Sequence, residues 1–238
     1  MDPAKRLAQA VGAWLQFEFA CNRSELFNER CMSASIASGL YAIYREEVRS
    51  EYLHPILGPL KSGPGRRPEV DFAVISKYPE IDCVLESKWI GVAGVRVEDI
   101  MWDLFRLELI ANQTQAAAFF LLAGRRRHLE SFFHSKAFLG RRTVAGKHRT
   151  ILKMHPAPRL RVAGALEERK ELFRKLLAQY QDLSFPTLLS TSVGYAYPQI
   201  CPMFQHQAWV WQVHAPPGTP RFFPRNHKFY STGSSPLT

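Results

Sequence analysis

The sequence predicts an α/β protein in which a mixed β-sheet is flanked by helices. Three observations support this fold class. Between Val97 and Asn112, apolar residues recur with the 3.6-residue period of a helix. Two β-rich runs, EVDFAVIS and IDCVLESKW, are separated only by a turn. The run AAAFFLLAG is apolar throughout, as expected for a strand that is buried on both faces of a sheet.

Two helices are predicted before the sheet. The first covers residues 4–20, and its apolar positions are Leu7, Val11, Trp14 and Leu15. The second begins at Ser24, a residue type favoured at helix N-caps, and runs to about Arg49. Its apolar face is formed by Ile36, Leu40 and Ile43.

The strands follow in a compact order. EYLHPIL is a candidate first strand, and the loop KSGPGRRP is kept out of regular structure by its glycines and prolines. EVDFAVIS and IDCVLESKW then form a hairpin, because the turn cluster at residues 77–80 joins them. The helix from Val97 buries a stripe of Ile100, Leu104, Leu107 and Ile110 or Ala111.

Less regular patterns fill the C-terminal half. TILKM and RLRV are candidate strands, residues 167–180 form a helix, and FPTLLSTSVGYAYP and QAWVWQVHA indicate further β structure. From Ala215 the chain is rich in Pro, Gly and Ser, so we expect an irregular tail. Within that tail, RFFPRNHKFY mixes basic and aromatic residues, a combination that either stacks nucleobases or anchors the tail to the domain or a partner subunit.

The composition indicates a soluble, cytoplasmic protein. No apolar stretch reaches the roughly 18 to 20 residues of a membrane span, and the N-terminal helix lacks the features of a signal peptide. The four cysteines are far apart and have no spacing typical of zinc sites, so we expect reduced thiols.

The positive charge is concentrated in one segment. Residues 125–161 contain eleven Lys or Arg and one acid, so this segment carries the whole net charge of +10. Such a segment suits a polyanion, although it also suits a solvated basic face that docks an acidic partner. The residues expected to contact nucleic acid are Arg125, Arg126, Arg127, Arg141, Arg142, Lys147 and Arg149.

The two strands of the hairpin carry candidate catalytic residues. Asp71 lies in the first strand, and the second ends on Glu86, Ser87 and Lys88. Residues i and i+2 of a strand share a face, so Glu86 and Lys88 point together, and the hairpin brings Asp71 alongside. Two carboxylates beside an amine at the end of a buried strand are costly unless they form a site.

This pattern, Asp followed by Glu-x-Lys, with its order of helices and strands resembles the PD-(D/E)XK nuclease superfamily, whose fold is restriction-endonuclease-like. The resemblance covers roughly residues 24–124. The sequence differs from the family pattern in one respect, because Pro68 lies three positions before Asp71 instead of directly before it. It implies that Asp71, Glu86 and the main-chain carbonyl of Ser87 bind Mg²⁺, which Mn²⁺ can replace, and that Lys88 assists the attacking water.

The resemblance also implies a division of the chain. Residues 1–124 are the nuclease-like core, residues 125–214 are a basic, partly β extension that completes the same domain, and residues 215–238 are the tail. The implied function is hydrolysis of phosphodiester bonds in DNA by an endonuclease of a restriction, repair or defence system, as a homodimer or in a larger complex. The alternative is a catalytically inactive, nuclease-like module that binds nucleic acid or assists assembly.

Members of the superfamily often add an acid from the helix before the strands. Glu29 is the first candidate for this catalytic role, because it continues the face of Ile36, Leu40 and Ile43, and Glu18 is the second. The alternative is that both are ordinary carboxylates at helix ends. Four charged residues of the later helix hold substrate, buttress the site or lie on a solvated surface, and we expect the solvated surface: Asp99, Asp103, Arg106 and Glu108.

Overall fold

A computed structural model of the chain describes residues 2–60, 65–77, 79–140, 150–154, 160–163, 167–228 and 230. The helices are α1 (Pro3–Ala20), α2 (Ser33–Tyr44), α3 (Leu57–Leu60), α4 (Val97–Thr114), α5 (Arg126–Phe133), α6 (Lys136–Leu139) and α7 (Glu167–Leu177). The strands are β1 (Glu47–Leu53), β2 (Glu69–Ile75), β3 (Cys83–Ile90), β4 (Ala117–Arg125), β5 (Leu160–Arg161), β6 (Phe185–Pro186), β7 (Leu188–Thr191), β8 (Tyr195–Tyr197), β9 (His206–His214) and β10 (Arg221–Phe222).

Eight of the described strands form one mixed sheet in the order β1-β2-β3-β4-β9-β7-β5, and β8 pairs with β9 beside β7. β3 and β4 are parallel, and the other neighbours in this sheet are antiparallel. The prediction of an α/β fold with a mixed, helix-flanked sheet is therefore confirmed.

The sheet separates two hydrophobic cores. Residues of α1 and α2 pack on one face, against the side chains of Phe119 and Leu121, and α4 packs on the other, against Phe120 and Leu122. β4 therefore alternates between the two cores, which explains why its sequence is apolar from Ala117 to Gly124.

Helix α1 lies close to the sheet. It begins at an N-cap, where the Asp2 carboxylate accepts a hydrogen bond from the Ala4 amide at 2.8 Å. A β-carbon at Gly12 would lie 2.3 Å from the Tyr197 carbonyl oxygen of β8, so only glycine permits this approach.

The second predicted helix is corrected. Residues 24–26 and 30–32 form two short 3₁₀ turns, and α2 begins only at Ser33 and ends at Tyr44. Arg49, the predicted helix end, lies in β1, which begins before the predicted EYLHPIL strand. The charged and polar alternation of this stretch suits an exposed edge strand, and β1 is at the edge of the sheet.

The described residues after Ala215 are mostly irregular, and several of them pack on the domain. β10 pairs with β6, and the Arg221 guanidinium makes an ion pair with Glu108 of α4. Tyr230 is 1% exposed, and its hydroxyl donates a hydrogen bond to the Val162 carbonyl. Where the structure describes it, RFFPRNHKFY therefore anchors the chain to the domain.

The structure also tests the expectations about membrane spans, cysteines and the strands of the basic segment. Among the described residues, no helix is both long and apolar enough to cross a membrane. The four cysteines are all described and are free thiols. Of the TILKM and RLRV strands, Leu160–Arg161 forms β5, whereas Ile151 and Leu152 are buried outside any strand.

Candidate functional site

The strand pairing is interrupted at Asp71. The β1–β2 register runs through Ser50–Phe72 and Tyr52–Val70 but omits Glu51 and Asp71, and Glu51 has a φ of 50°. The β2–β3 register ends at Phe72–Leu85, one position before Asp71 and Glu86 would pair. Val70 and Phe72 pack in different cores, although residues i and i+2 of a regular strand share a face. The backbone is therefore irregular at Asp71.

The Asp71 carboxylate replaces the missing pairing of the two strands. Its Oδ2 accepts hydrogen bonds from the Ser87 main-chain N–H at 2.7 Å and from the Ser87 Oγ at 2.8 Å. These two bonds hold the carboxylate against β3, next to Glu86. The hairpin thus brings Asp71 to the Glu86-Ser87-Lys88 segment, as the sequence predicted.

Glu86 is a buried carboxylate with an incomplete set of partners. It is 1% exposed, and the nearest cationic group is the Arg106 guanidinium, whose Nη2 lies 3.3 Å from Oε1. This contact is not aligned as a hydrogen bond, so Oε1 accepts none from the residues that the structure describes. Burial, reinforced by the negative charge of Asp103, raises the pKa of Glu86 well above its ordinary value.

Lys88 connects several groups of the site. Its Nζ lies 3.2 Å from Asp103 Oδ2 and 3.7 Å from Glu29 Oε1, and it donates a hydrogen bond to the Ser87 carbonyl at 3.1 Å. Burial disfavours the charged amine, but the attraction of the surrounding carboxylates, Asp103 first, outweighs burial and raises the pKa of Lys88. The amine is therefore protonated near neutral pH.

Asp103 belongs to the site, which corrects the expectation of a solvated helix surface. It is 4% exposed, and burial raises its pKa to about 6 against the opposing attraction of Lys88 and Arg106. The sequence contained a signal for this placement. Asp103 follows Ile100 by three positions and precedes Leu107 by four, so it lies on the buried face of α4.

Of the other three charged residues of α4 considered in the sequence, two are directed into the protein and one lies on the solvated surface. Arg106 and Glu108 are also directed inward, toward Glu86 and Arg221 respectively. Asp99 remains on the surface and pairs with Arg96 at 2.7 Å, as a solvated helix residue does.

His54 fixes the main chain of α4 at Arg106. Its Nδ1 accepts hydrogen bonds from the amides of Ile56 at 3.2 Å and Leu57 at 2.9 Å, so the ring proton is on Nε2. Nε2 then donates to the Arg106 carbonyl at 3.2 Å. Burial lowers the pKa of His54 to about 4, so the ring is neutral at pH 7 and holds the loop after β1 against α4.

Glu29 reaches the site by a different route from the predicted one. It precedes the 3₁₀ turn of residues 30–32 and does not continue the helical face of α2. Its side chain is nevertheless directed toward Lys88, and burial raises the pKa of its carboxyl group. Glu18, the other candidate, instead forms an ion pair with Arg23 at 2.5 Å.

The site carries an excess of negative charge. Four carboxylates surround Lys88 and Arg106, so the formal balance is minus two: Glu29, Asp71, Glu86 and Asp103. A cleft of about 250 Å³ opens at Asp71, and arginines that the sequence had assigned only to a loop, Arg66 and Arg67, line it with Arg106. The carboxylates of Glu51 and Glu69 also line this cleft and pair with Arg66, so its mouth carries both signs of charge.

The structure describes three of the seven basic residues that were predicted to contact nucleic acid. Arg125 ends β4, and Arg127 is exposed in the first turn of α5. The Arg126 side chain donates a hydrogen bond to the Cys201 carbonyl, so this guanidinium has a structural partner within the domain. The remaining predicted contacts with nucleic acid lie outside the described residues: Arg141, Arg142, Lys147 and Arg149.

Metal-binding capacity rests on few side chains. Across the described parts of the chain, no group of three or more His, Cys, Asp or Glu residues is arranged to hold a metal ion. The predicted ligand set is smaller, with the Asp71 and Glu86 carboxylates and the Ser87 carbonyl. Mg²⁺ commonly takes only one or two protein carboxylates and retains water as its other ligands.

Comparisons of the chain with protein-family models, with curated proteins and with solved structures gave no significant match.

Proposed function

We propose that this protein is a metal-dependent nuclease that hydrolyses phosphodiester bonds in DNA and that its core is of the restriction-endonuclease-like, PD-(D/E)XK type. One observation carries the proposal. Asp71, Glu86 and Lys88 meet where β2 and β3 separate, in a partly buried cluster whose formal charge is minus two. Glu86 and Asp103 are buried carboxylates with raised pKa values, and buried ionisable groups of this kind are typical of functional sites.

The donor set fits Mg²⁺. Carboxylate and carbonyl oxygens are the hard ligands this ion prefers, and Mn²⁺ accepts the same ligands. Glu86 Oε1 is buried and has no hydrogen bond within the described residues, so it has an electron pair to offer. Asp71, Glu86 and the Ser87 carbonyl would hold the ion, whose charge equals the formal excess of the cluster. When bound, the ion neutralises charge on the phosphate and lowers the pKa of a bound water.

Lys88 supplies a fixed positive charge beside these ligands. Asp103 and Glu29 flank its amine, and the Ser87 carbonyl accepts one of its hydrogen bonds. A protonated amine in this position orients a water molecule by hydrogen bonding and stabilises negative charge that develops on a phosphate. We assign Lys88 that role, with Asp103 as the residue that positions it.

Basic residues near the site would contact the phosphates of the substrate. Arg66, Arg67 and Arg106 line the cleft at Asp71. Arg125, at the end of β4, is a further candidate for a contact with the substrate away from the cleft. DNA is preferred to RNA on the family resemblance alone. A cytoplasmic location belongs to the same proposal.

A cleavage assay tests the assignment. Purified protein is incubated with plasmid and single-stranded DNA in Mg²⁺ or Mn²⁺, alongside Glu86→Ala and Lys88→Ala. Because the carboxylate holds the ion and the amine stabilises charge in the transition state, each substitution should reduce the rate by about 100-fold or more. Asp99→Ala, on the exposed face of α4, is the control and should cleave like the wild type. Equal rates in all four proteins would rule out this site.

The inactive-module alternative is favoured by one contact. The Arg106 guanidinium lies 3.3 Å from the Glu86 carboxylate. It therefore neutralises part of the negative charge that a metal ion would otherwise neutralise. Calorimetric titration with Mn²⁺ separates the two functions. A nuclease should bind the ion in a manner that Asp71→Ala abolishes, whereas a binding module should show no Asp71-dependent site.

A further inference from the structure

A second and larger cleft adjoins the candidate site. Its volume is about 660 Å³, within the range of roughly 300–1,000 Å³ that is typical of small-molecule sites. It shares Arg66, Pro68 and Arg106 with the smaller cleft that opens at Asp71, so the two are continuous along these residues. A group bound in the larger cleft therefore lies next to the cluster of Asp71, Glu86 and Lys88.

An aromatic pair lines this cleft. The rings of Trp102 and Tyr180 are stacked, with centroids 4.8 Å apart and an interplanar angle of 22°. Both residues are half-buried, so part of each ring remains accessible from the cleft. Trp102 directly precedes Asp103 in α4, and the same helix turn therefore contributes to the cleft wall and to the buried site.

Two guanidinium groups lie between the aromatic pair and Asp71. The Arg106 side chain is mostly buried between the clefts, and its Nε donates no hydrogen bond to any described residue. Arg66 is largely exposed at the mouth and lies 2.9 Å from Glu51 and 2.5 Å from Glu69. The acid of the cleft, Asp182, forms an ion pair with Arg225. Arg66 and Arg106 are therefore the cationic groups that an anionic group would meet on this side of the cleft, where it would compete with their carboxylate partners.

We propose that this cleft binds one unpaired nucleotide of a DNA strand, with the base on the Trp102–Tyr180 pair and the adjoining phosphate at Arg66 and Arg106. Aromatic rings hold bases by stacking, and guanidinium groups hold phosphates by charge-assisted hydrogen bonds. A base in a duplex is paired and stacked, so it cannot enter. The inference rests on the proposed nuclease function and narrows its substrate to a single strand, or to a duplex with an unpaired end.

Binding without catalysis tests the proposal. The fluorescence anisotropy of a labelled, short oligothymidylate is measured in EDTA, with a labelled hairpin duplex in parallel. The wild type should bind the single strand more tightly than the duplex. Trp102→Ala should weaken binding of the single strand by about 5- to 150-fold, because it removes the stacking surface. Trp102→Phe, which keeps a ring, should restore most of the affinity.

A second set of binding measurements uses charge-reversal variants of exposed residues, which do not disturb the hydrophobic core. Arg66→Glu changes an exposed residue and should weaken binding of the single strand. Arg49→Glu, at an exposed arginine of β1 that also pairs with a carboxylate, alters the net charge equally but lies outside the cleft. A greater loss for Arg66→Glu than for Arg49→Glu supports a local phosphate contact. Equal losses overturn it.

The outcomes separate this inference from the nuclease proposal. Asp99→Ala should bind the single strand like the wild type, because Asp99 does not line the larger cleft. If Trp102 governs binding while no variant alters cleavage, the nucleotide site stands and the nuclease assignment fails. Circular dichroism first establishes that Trp102→Ala is folded. If Glu86→Ala then abolishes cleavage while Trp102→Ala binds the single strand like the wild type and Arg66→Glu binds it like Arg49→Glu, the nucleotide site is excluded and the nuclease assignment stands.

Discussion

The contact between Lys88 and Asp103 determines which protonation state the candidate site adopts. A lysine in an apolar strand end would lose its proton more easily than in water, but here the pKa of Lys88 is raised because its nearest carboxylate is 3.2 Å away. The same burial raises the pKa of Asp103 to about 6. Lys88 is therefore a cation that the ionised Asp103 carboxylate attracts and positions.

We predict that Asp103→Asn lowers the cleavage rate by about 10- to 100-fold, the usual effect of removing a residue that orients a catalytic group. In the wild type the rate should rise as pH increases through about 6, because Asp103 then loses its proton and attracts Lys88. That rise should be diminished in the variant. Rates measured between pH 5 and pH 8 check this, with Asp99→Asn, an exposed acid of the same helix, as the control.

Glu86 illustrates the cost of the site to the fold. Its pKa is raised in the folded state, so its contribution to stability is complete below the unfolded pKa near 4.5 and is lost as pH rises through the folded pKa. At neutral pH the charged form is therefore unfavourable. A cation bound beside it would remove this penalty.

We predict that Glu86→Gln raises the free energy of unfolding at neutral pH without divalent ions, since it removes a buried carboxyl group whose ionised form the site disfavours. Urea denaturation measures this. Mg²⁺ should raise the melting temperature of the wild type but not of Glu86→Gln, and Glu80→Gln, an exposed acid, should respond like the wild type. The same Mg²⁺ shift in Glu86→Gln would exclude Glu86 as a ligand.

At the scale of elements, the separation of β2 from β3 creates the site. A regular ladder would place Asp71 in the sheet and bond its backbone to a neighbouring strand. Here the carboxylate of Asp71 accepts the Ser87 amide, and the positive φ of Glu51 interrupts the other edge. The opening left between the strands is lined by α4, which contributes Asp103 and Arg106.

His54 is the residue that holds α4 in this position, and it makes the fold sensitive to acid. Its pKa of about 4 lies below the unfolded value near 6.5, so its stabilising contribution is present above pH 6.5 and is lost as pH falls toward 4.

We predict that His54→Ala lowers the free energy of unfolding at pH 7 by about 2 to 4 kcal/mol, because it leaves a cavity and unpaired main-chain groups. The loss of stability between pH 7 and pH 5 should be about 2 kcal/mol smaller in the variant than in the wild type. Urea denaturation at the two pH values measures both quantities. His134→Ala, at an exposed histidine, should keep the pH dependence of the wild type.

At the scale of the whole molecule, the C-terminal segment is part of the domain. Glu108 is 1% exposed in α4, and two nitrogens of Arg221 pair with its carboxylate at 2.5 and 3.1 Å. Arg221 also donates a hydrogen bond to the Ser184 carbonyl, so one side chain joins α4, the β6 region and β10. Folding of the core therefore includes residues far along the chain.

We predict that Arg221→Ala lowers the free energy of unfolding by about 3 to 5 kcal/mol, because it leaves the Glu108 carboxylate buried without its partner. Replacing both members, as Glu108→Leu with Arg221→Met, should restore much of this loss. Arg225→Ala removes an exposed ion pair with Asp182 and should change stability by less than about 1 kcal/mol. A loss from Arg221→Ala no greater than that from Arg225→Ala would contradict a structural role for the segment.

Local patterns predicted much of this molecule. The 3.6-residue period identified α1 and α4, uniform apolarity identified β4, and the turn between two β-rich runs brought Asp71 beside Glu86 and Lys88. These features depend on neighbours in the chain. The second helix was predicted too long, because an edge strand with exposed charged residues has no clear period of its own.

Long-range packing decided the rest. The sequence by itself determined the α/β class and the Asp71, Glu86 and Lys88 constellation, since strand alternation and hairpin closure follow from short segments. Only the tertiary structure decided that Asp103 and Arg106 complete the charge cluster, that Glu29 reaches it from a turn, and that Arg221 joins the core. Those placements depend on how α4 packs across the sheet and on which buried charges find partners from distant parts of the chain.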